Sequence, residues 1–282
     1  MKNIVITGAK GLLGKTLYKK MLGKYSIFEA DLPDMDITSE DFFNILDEVR
    51  PDVIINCAAM TNVDKCEDEK ENAYKINALS VKKMADFCQK TGAFLVHYST
   101  DYIFDGKKGQ YNINDIPNPL GVYGLTKLIS EYEIIKRKNL KSALIRTNVV
   151  YGNTGEANFI VWLYNKLKNN ESVNIVDDQF NNPCFVEELA DFTIQVIDNE
   201  LTGIFHTGSP EFYSRYDFSR LFAQTAQFKP ELINKISTSQ LNQKAQRPLK
   251  GGLDIVETEK ITGFKFKSTH DNFKKLIEDF NK

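Results

Sequence analysis

At 282 residues, 42% hydrophobic and with a formal net charge of -2, the chain can bury a large core and has no electrostatic reason to bind nucleic acid or an anionic membrane surface. No apolar run is long enough to span a membrane, and strand-like sequence from Asn3 leaves no room for a signal peptide, so a cytoplasmic protein is expected. Cys57, Cys66, Cys88 and Cys184 form no C-x-x-C pair, and reduced thiols without zinc are expected.

In chain order, the apolar run Ile4 to Ile6 reads as a buried strand, followed by a helix with Leu12, Leu13, Leu17, Met21 and Leu22 on one face. Ile27 to Ala30 is the next strand. A helix capped by Thr38 follows, with Phe42, Phe43, Ile45, Leu46 and Val49 on one side. Val53 to Ile55 and Phe94 to Val96 are strands, and Ala73, Ile76, Val81, Met84, Ala85 and Cys88 form a helical stripe between them. Ala143 to Ile145, Val173 to Val176 and Ile204 to Phe205 complete the buried-strand candidates. Strands separated by helices, without tight hairpin signals, predict an α/β fold: a Rossmann-type, doubly wound parallel sheet. After about residue 150 the alternation loosens, and Asn, Gln and aromatic residues become more frequent. The expected division is a dinucleotide-binding domain over 1–150 and a smaller, mainly substrate-binding lobe over 151–282, some of whose segments return to the first domain.

Three places carry chemistry. Between the first strand and helix lies Thr7-Gly8-Ala9-Lys10-Gly11-Leu12-Leu13-Gly14. Gly8 permits a tight turn, Gly11 lets the backbone approach a pyrophosphate, and Gly14 lets the helix pack closely, with the helix N-terminus facing the phosphates. Asp31 ends the second strand, where a carboxylate accepts hydrogen bonds from the adenosine ribose. No Lys or Arg lies between Asp31 and Asp36, so NADH is expected over NADPH, with Lys10 the cation best placed to soften the preference. Tyr123 and Lys127 share a helix face; the lysine is expected to lower the phenol's pKa, and Thr100 to hold the same substrate oxygen. His97 and His206 read as packed or hydrogen-bonded residues, His270 as a surface residue, Trp162, Phe159 and Tyr164 as core or rim, and Asp64 to Glu71 as an exposed loop and helix start.

The order glycine loop, Asn56-Cys57-Ala58-Ala59, Ser99-Thr100-Asp101 and Tyr123-x-x-x-Lys127 resembles an extended short-chain dehydrogenase/reductase. Arg50-Pro51-Asp52-Val53-Ile54-Ile55-Asn56, Val63-Asp64-Lys65-Cys66-Glu67, His97 to Gly106, Pro119 to Gly124 and Arg247-Pro248 narrow the resemblance to the dTDP-4-dehydrorhamnose reductase family. The resemblance implies NAD(P)H-dependent reduction of a 4-keto group on a nucleotide-linked deoxysugar. It implies that Gly11, Leu12 and Leu13 line the pyrophosphate, within the cofactor loop that Gly8 and Gly14 shape, that Asp31 holds the ribose, and that Asp36-Ile37 borders the adenine. Ala59, Met60 and Thr61 would follow the cofactor, and Thr100, Tyr123 and Lys127 would be catalytic, with Tyr123 and Lys127 also binding the cofactor. Thr100, Asp101, Asn148, Val149 and Arg247 would face the sugar. Where the family usually carries Ser-Trp after Arg146-Thr147, this chain has Asn148-Val149. Some family members bridge a dimer through a metal held by a Glu two residues after the third glycine. Thr16 stands there, so no metal is carried over and a homodimer is left open. A sugar epimerase or dehydratase on the same fold, or a non-catalytic binding subunit, are the other readings; against dehydration, Thr100 is followed by Asp101-Tyr102 rather than by two carboxylates.

Overall fold

The computed structural model describes residues 1–154 and 158–280. Strand and helix alternate through β1 (Asn3–Thr7), α1 (Leu12–Met21), β2 (Ser26–Ala30), α2 (Glu40–Val49) and β3 (Val53–Asn56). The short helices α3 (Val63–Asp68) and α4 (Lys70–Tyr74) run through a π turn into α5 (Ser80–Thr91), then β4 (Phe94–Thr100), α6 (Val122–Ile135) and β5 (Ser142–Thr147). The second half holds α7 (Phe159–Lys168), β6 (Val173–Val176), β7 (Phe180–Asn181), α8 (Val186–Asp198) and β8 (Gly203–His206). It closes with β9 (Tyr213–Ser214), α9 (Arg215–Thr225), β10 (Ile233–Ile236), α10 (Val256–Thr262) and α11 (Thr269–Phe280).

Six strands make one parallel sheet in the order β2-β1-β3-β4-β5-β8. Both faces are covered, so β3 and β4 are buried along their whole length and read as continuous apolar runs rather than alternation. Ile4, Ile6, Leu17, Val96 and Phe192 pack on one side; Val5, Phe42, Ile54, Met84 and Leu95 pack on the other. The direction of winding reverses between β1 and β3, which opens a crevice at the C-terminal ends of the strands.

A third core gathers Tyr151, Ile160, Phe185, Phe218, Phe222 and Phe273 from the second half of the chain. Two elements of that half return to the sheet: α8 packs on α1, and β8 is the edge strand beside β5. β6 departs from expectation. It is a strand, but it pairs with β10 in a separate two-stranded sheet, because β8 already occupies the free edge of β5. A four-residue apolar run carries no information about its neighbour. α2 likewise starts at Ser39 rather than Thr38: Ser39 Oγ accepts the Phe42 N–H at 3.2 Å, and Glu40 and Asp41 follow in the first turn, where the helix dipole favours acids. Among the described residues no helix is long and apolar enough to cross a membrane.

Candidate active site

A cleft of about 910 Å³ opens at the C-terminal ends of β1, β3, β4 and β5. The glycine loop forms one wall. Gly8 has φ +64°, and a Cβ there would lie 2.8 Å from Ala58 N. A Cβ on Gly14 would collide with Gly8 O, so helix and loop approach as closely as backbone allows. No side chain caps the start of α1, and Gly11, Leu12, Leu13 and Gly14 line the cleft; the free N–H groups of that first turn suit a phosphate.

Asp31 lines the same wall, its Oδ2 accepting from Lys10 N (2.6 Å) and its Oδ1 from Leu32 N (2.7 Å). Lys10 Nζ reaches Leu32 O (3.0 Å) and Asp34 (3.1 Å), so a cation does stand beside the Asp31 loop. Asp36, Ile37, Ala59, Met60 and Thr61 continue the wall. The Asn77 side chain fastens this segment, accepting from Met60 N (2.8 Å) and donating to Met60 O (3.1 Å) and Thr126 Oγ1 (3.2 Å).

The opposite wall carries Thr100, Asp101, Tyr102, Tyr123, Asn148, Val149 and Arg215. Tyr123 sits in the first turn of α6, whose leading N–H, from Val122, is capped from a distance by Glu67 Oε1 at 2.7 Å. Thr100 lines the same wall, and the Tyr123 ring stands edge-on to Tyr102 with centroids 5.7 Å apart. Asp101 is 2% exposed; it accepts from Thr100 Oγ1 (3.3 Å) and Gly252 N (3.1 Å), and burial pushes its carboxyl up to about 6. Asn148 donates to Asn182 Oδ1 (3.1 Å), while its own Oδ1 has no partner among the described residues. Val149 adopts φ +38°, uncommon for a β-branched residue.

Lys127 is placed differently from the expectation. It is 3% exposed and lies behind the cleft lining, with Nζ 3.2 Å from His97 Nε2. The Tyr123 phenol is pushed up by burial, not lowered by the lysine. Burial also pulls Lys127 down to about 8, against the opposing charge of Glu131. The four-residue spacing sets a common face but not a common depth.

The family model described as RmlD substrate binding domain matches residues 1–282. The chain belongs to this family, within the extended short-chain dehydrogenase/reductases. A dTDP-4-dehydrorhamnose reductase from Aggregatibacter actinomycetemcomitans is 34% identical over 93% of this chain and 94% of its own. The crystal structure of a dTDP-4-dehydrorhamnose reductase from Clostridium acetobutylicum superposes with a TM-score of 0.92 at 33% identity, covering 99% of this chain and 100% of that one. The Bacillus anthracis reductase, solved in complex with NADP, gives 0.92 at 30% identity and 99% coverage of both chains.

In this RmlD-family chain Arg247 does not line the cleft. Its Nη1 and Nη2 each lie 3.0 Å from an Asp64 carboxylate oxygen, a bidentate pair that holds the Asp64 carboxyl below its usual range. Asp64 to Glu71 is thus a helix start with mostly exposed residues, as expected, but Asp64 itself is held in an ion pair, and Lys244 pairs with Asp68 beside it. His97 and His206 are buried and hydrogen-bonded, and His270 is exposed, as expected. Trp162 is partly exposed and packs on Phe159, a rim position. Arg215 is the residue the sequence does not reveal. Its guanidinium lies 5.1 Å over the Phe159 ring and has no hydrogen-bond or ion-pair partner among the described residues. A lone arginine at a helix start has no spacing signature; only the fold brings it opposite Thr100.

Proposed function

We propose that this protein is an NAD(P)H-dependent reductase of a 4-keto group on a nucleotide-linked deoxysugar, as the dTDP-4-dehydrorhamnose reductases it resembles are named to be. One observation carries the reading: an uncapped glycine-loop helix, an acid at the end of β2 and a Thr100–Tyr123 hydroxyl pair line one cleft. The cleft fits a nicotinamide dinucleotide, with Gly8, Gly11, Leu12, Leu13 and Gly14 at the pyrophosphate, Asp31 at the ribose, Asp36 and Ile37 at the adenine, and Ala59, Met60 and Thr61 along its length. The bound cofactor supplies the hydride. Thr100 holds the sugar oxygen, and Tyr123 delivers the proton to it. A phenol kept protonated by burial is the right state for a donor. Asp101, Asn148 and Val149 face the sugar from the same wall, and Arg247 acts at one remove, by tying the C-terminal segment to α3. The lobe over 151–282 serves mainly the substrate.

Asp31 supports a preference for NADH over NADPH, and the proximity of Lys10 supports a small margin. The proposal extends to a homodimer and a cytoplasmic setting, checked by sedimentation and by fractionation. Incubation with a dTDP-4-keto-6-deoxy sugar should consume reduced nicotinamide and give the 4-hydroxy sugar by NMR. Formation of a keto sugar from dTDP-glucose, without net loss of NADH, would overturn the reading in favour of a dehydratase.

A further inference from the structure

Beneath the cleft runs a buried polar chain that the reaction as described does not use: Thr7, Asn56, His97, Ser130 and Lys127, each at most 3% exposed. Its protons can be placed. Thr7 Oγ1 accepts from Ala58 N (3.3 Å), so its own proton goes to Asn56 Oδ1 (2.6 Å). That orients the amide with Nδ2 donating to His97 Nδ1 (3.0 Å). The neutral ring then carries its proton on Nε2. Ser130 sends its proton to Lys127 O (2.6 Å), so Ser130 Oγ is the acceptor for Nε2–H at 3.0 Å. Lys127 Nζ lies 3.2 Å from the same Nε2. An ammonium there would set donor against donor; an amine would accept.

We propose that His97 is a positioning residue for Lys127: its Nε2–H, fixed by Asn56 and shared with Ser130, holds the lysine at the back of the cleft as the neutral amine. The lysine gains its charge by leaving His97 for the cleft side, where Tyr123 stands one helical turn away. No other titratable side chain lies at hydrogen-bond distance from Nζ among the described residues. Glu131, on the same helix, is held by a bidentate pair with Arg146 from β5, and the charge it still presents to Lys127 works against the amine. Asp101 and Tyr102, from the turn after β4, face Thr100 and Tyr123. Glu67 of α3 is occupied by Val122 N, and Asp86 of α5 by Lys82 and Arg137. Burial shifts Lys127 in the same direction, down to about 8.

The inference rests on Tyr123 and Lys127 handling the proton, but its test reads Lys127 directly and does not require the right sugar. Lysine labelled with carbon-13 at Cε, assigned with Lys127→Arg, reports the titration of Nζ in the whole protein. Ser130→Ala leaves Nε2–H to the amine alone and should lower its proton affinity by about threefold, half a pH unit. His97→Phe keeps an aromatic ring, removes the opposing donor and should raise the affinity by at least that factor. With substrate, the alkaline limb of kcat/KM should move the same way in each variant while the KM for sugar stays put. Ser130→Ala still decides the matter if His97→Phe does not fold. Titrations that overlie the wild type, or that move in the same direction in both variants, overturn the proposal, because a purely structural histidine would change only the melting temperature.

Discussion

The two walls of the cleft are built by opposite strategies. The cofactor-facing wall comes from short, contiguous stretches at the ends of β1, β2 and β3, where a few glycines and one acid set the backbone path. The wall proposed to face the sugar is assembled from distant parts: Thr100 and Asp101 after β4, Tyr123 on α6, Asn148 and Val149 after β5, and Arg215 on α9. Gly252, beyond all of these, supplies the N–H that holds Asp101. The first wall presents backbone and tolerates little change of shape. The second presents side chains whose placement depends on tertiary contacts.

Perturbing each wall should therefore give a different signature. The largest effect is expected where the walls meet. Tyr123→Phe removes the positioned proton donor and should lower kcat about 100- to 10,000-fold, with the melting temperature nearly unchanged. Steady-state rates decide it, and a variant retaining half the activity rules the role out.

Next in size is a pH effect on the sugar wall. The Asp101 carboxyl is pushed up to about 6 from an ordinary 3.8, so the folded protein binds a proton there more tightly than the unfolded chain. The associated stability is present at pH below the unfolded value and is lost as pH rises through about 6. Compared with Asp101→Asn, the wild type should lose on the order of 3 kcal/mol between about pH 4 and pH 6 and no more above it. Urea unfolding of both proteins across that range gives the answer, and a gap independent of pH would contradict it.

Arg215→Ala should raise the KM for nucleotide sugar about tenfold, the usual order for a lost hydrogen bond to a charged group, and leave cofactor affinity alone. Equal losses on both ligands would show that the walls are not separable. The smallest effect belongs to Asp31→Ala, which should narrow the NADH-over-NADPH ratio of kcat/KM by about threefold to tenfold, in line with the modest weight of one partly exposed charge. The preference itself is falsified if the wild type uses NADPH at least as well as NADH.

The same contrast explains what could be read from the chain. The glycine loop, Asp31 and the β1-to-β5 alternation are local patterns, and local sterics place them wherever the sheet forms. Tyr123 was legible because a helix start after a loop fixes its outlook. Lys127 was not, because its rest position depends on His97, thirty residues away on β4. Arg247 kept its motif but lost its expected contact to Asp64, a partner 183 positions distant. Arg215 and the pairing of β6 with β10 left no local trace at all, since both depend on how the second core docks. Capping was misread by one residue at α2 because Thr38 and Ser39 are chemically equivalent candidates and only Ser39 has its oxygen over Phe42 N.

Among the described residues Arg215 is also the only cleft-lining one that comes after Val150 in the chain. A nascent chain that has just released Val150 thus already carries every other described group of the cleft, but not the edge strand β8 nor the N–H of Gly252 that holds Asp101. Synthesis therefore delivers most of the lining before the two late groups, Arg215 and the N–H of Gly252, that complete the wall around Thr100 and Asp101. A ribosome-bound intermediate stalled before both should take up dinucleotide before it can distinguish one sugar from another.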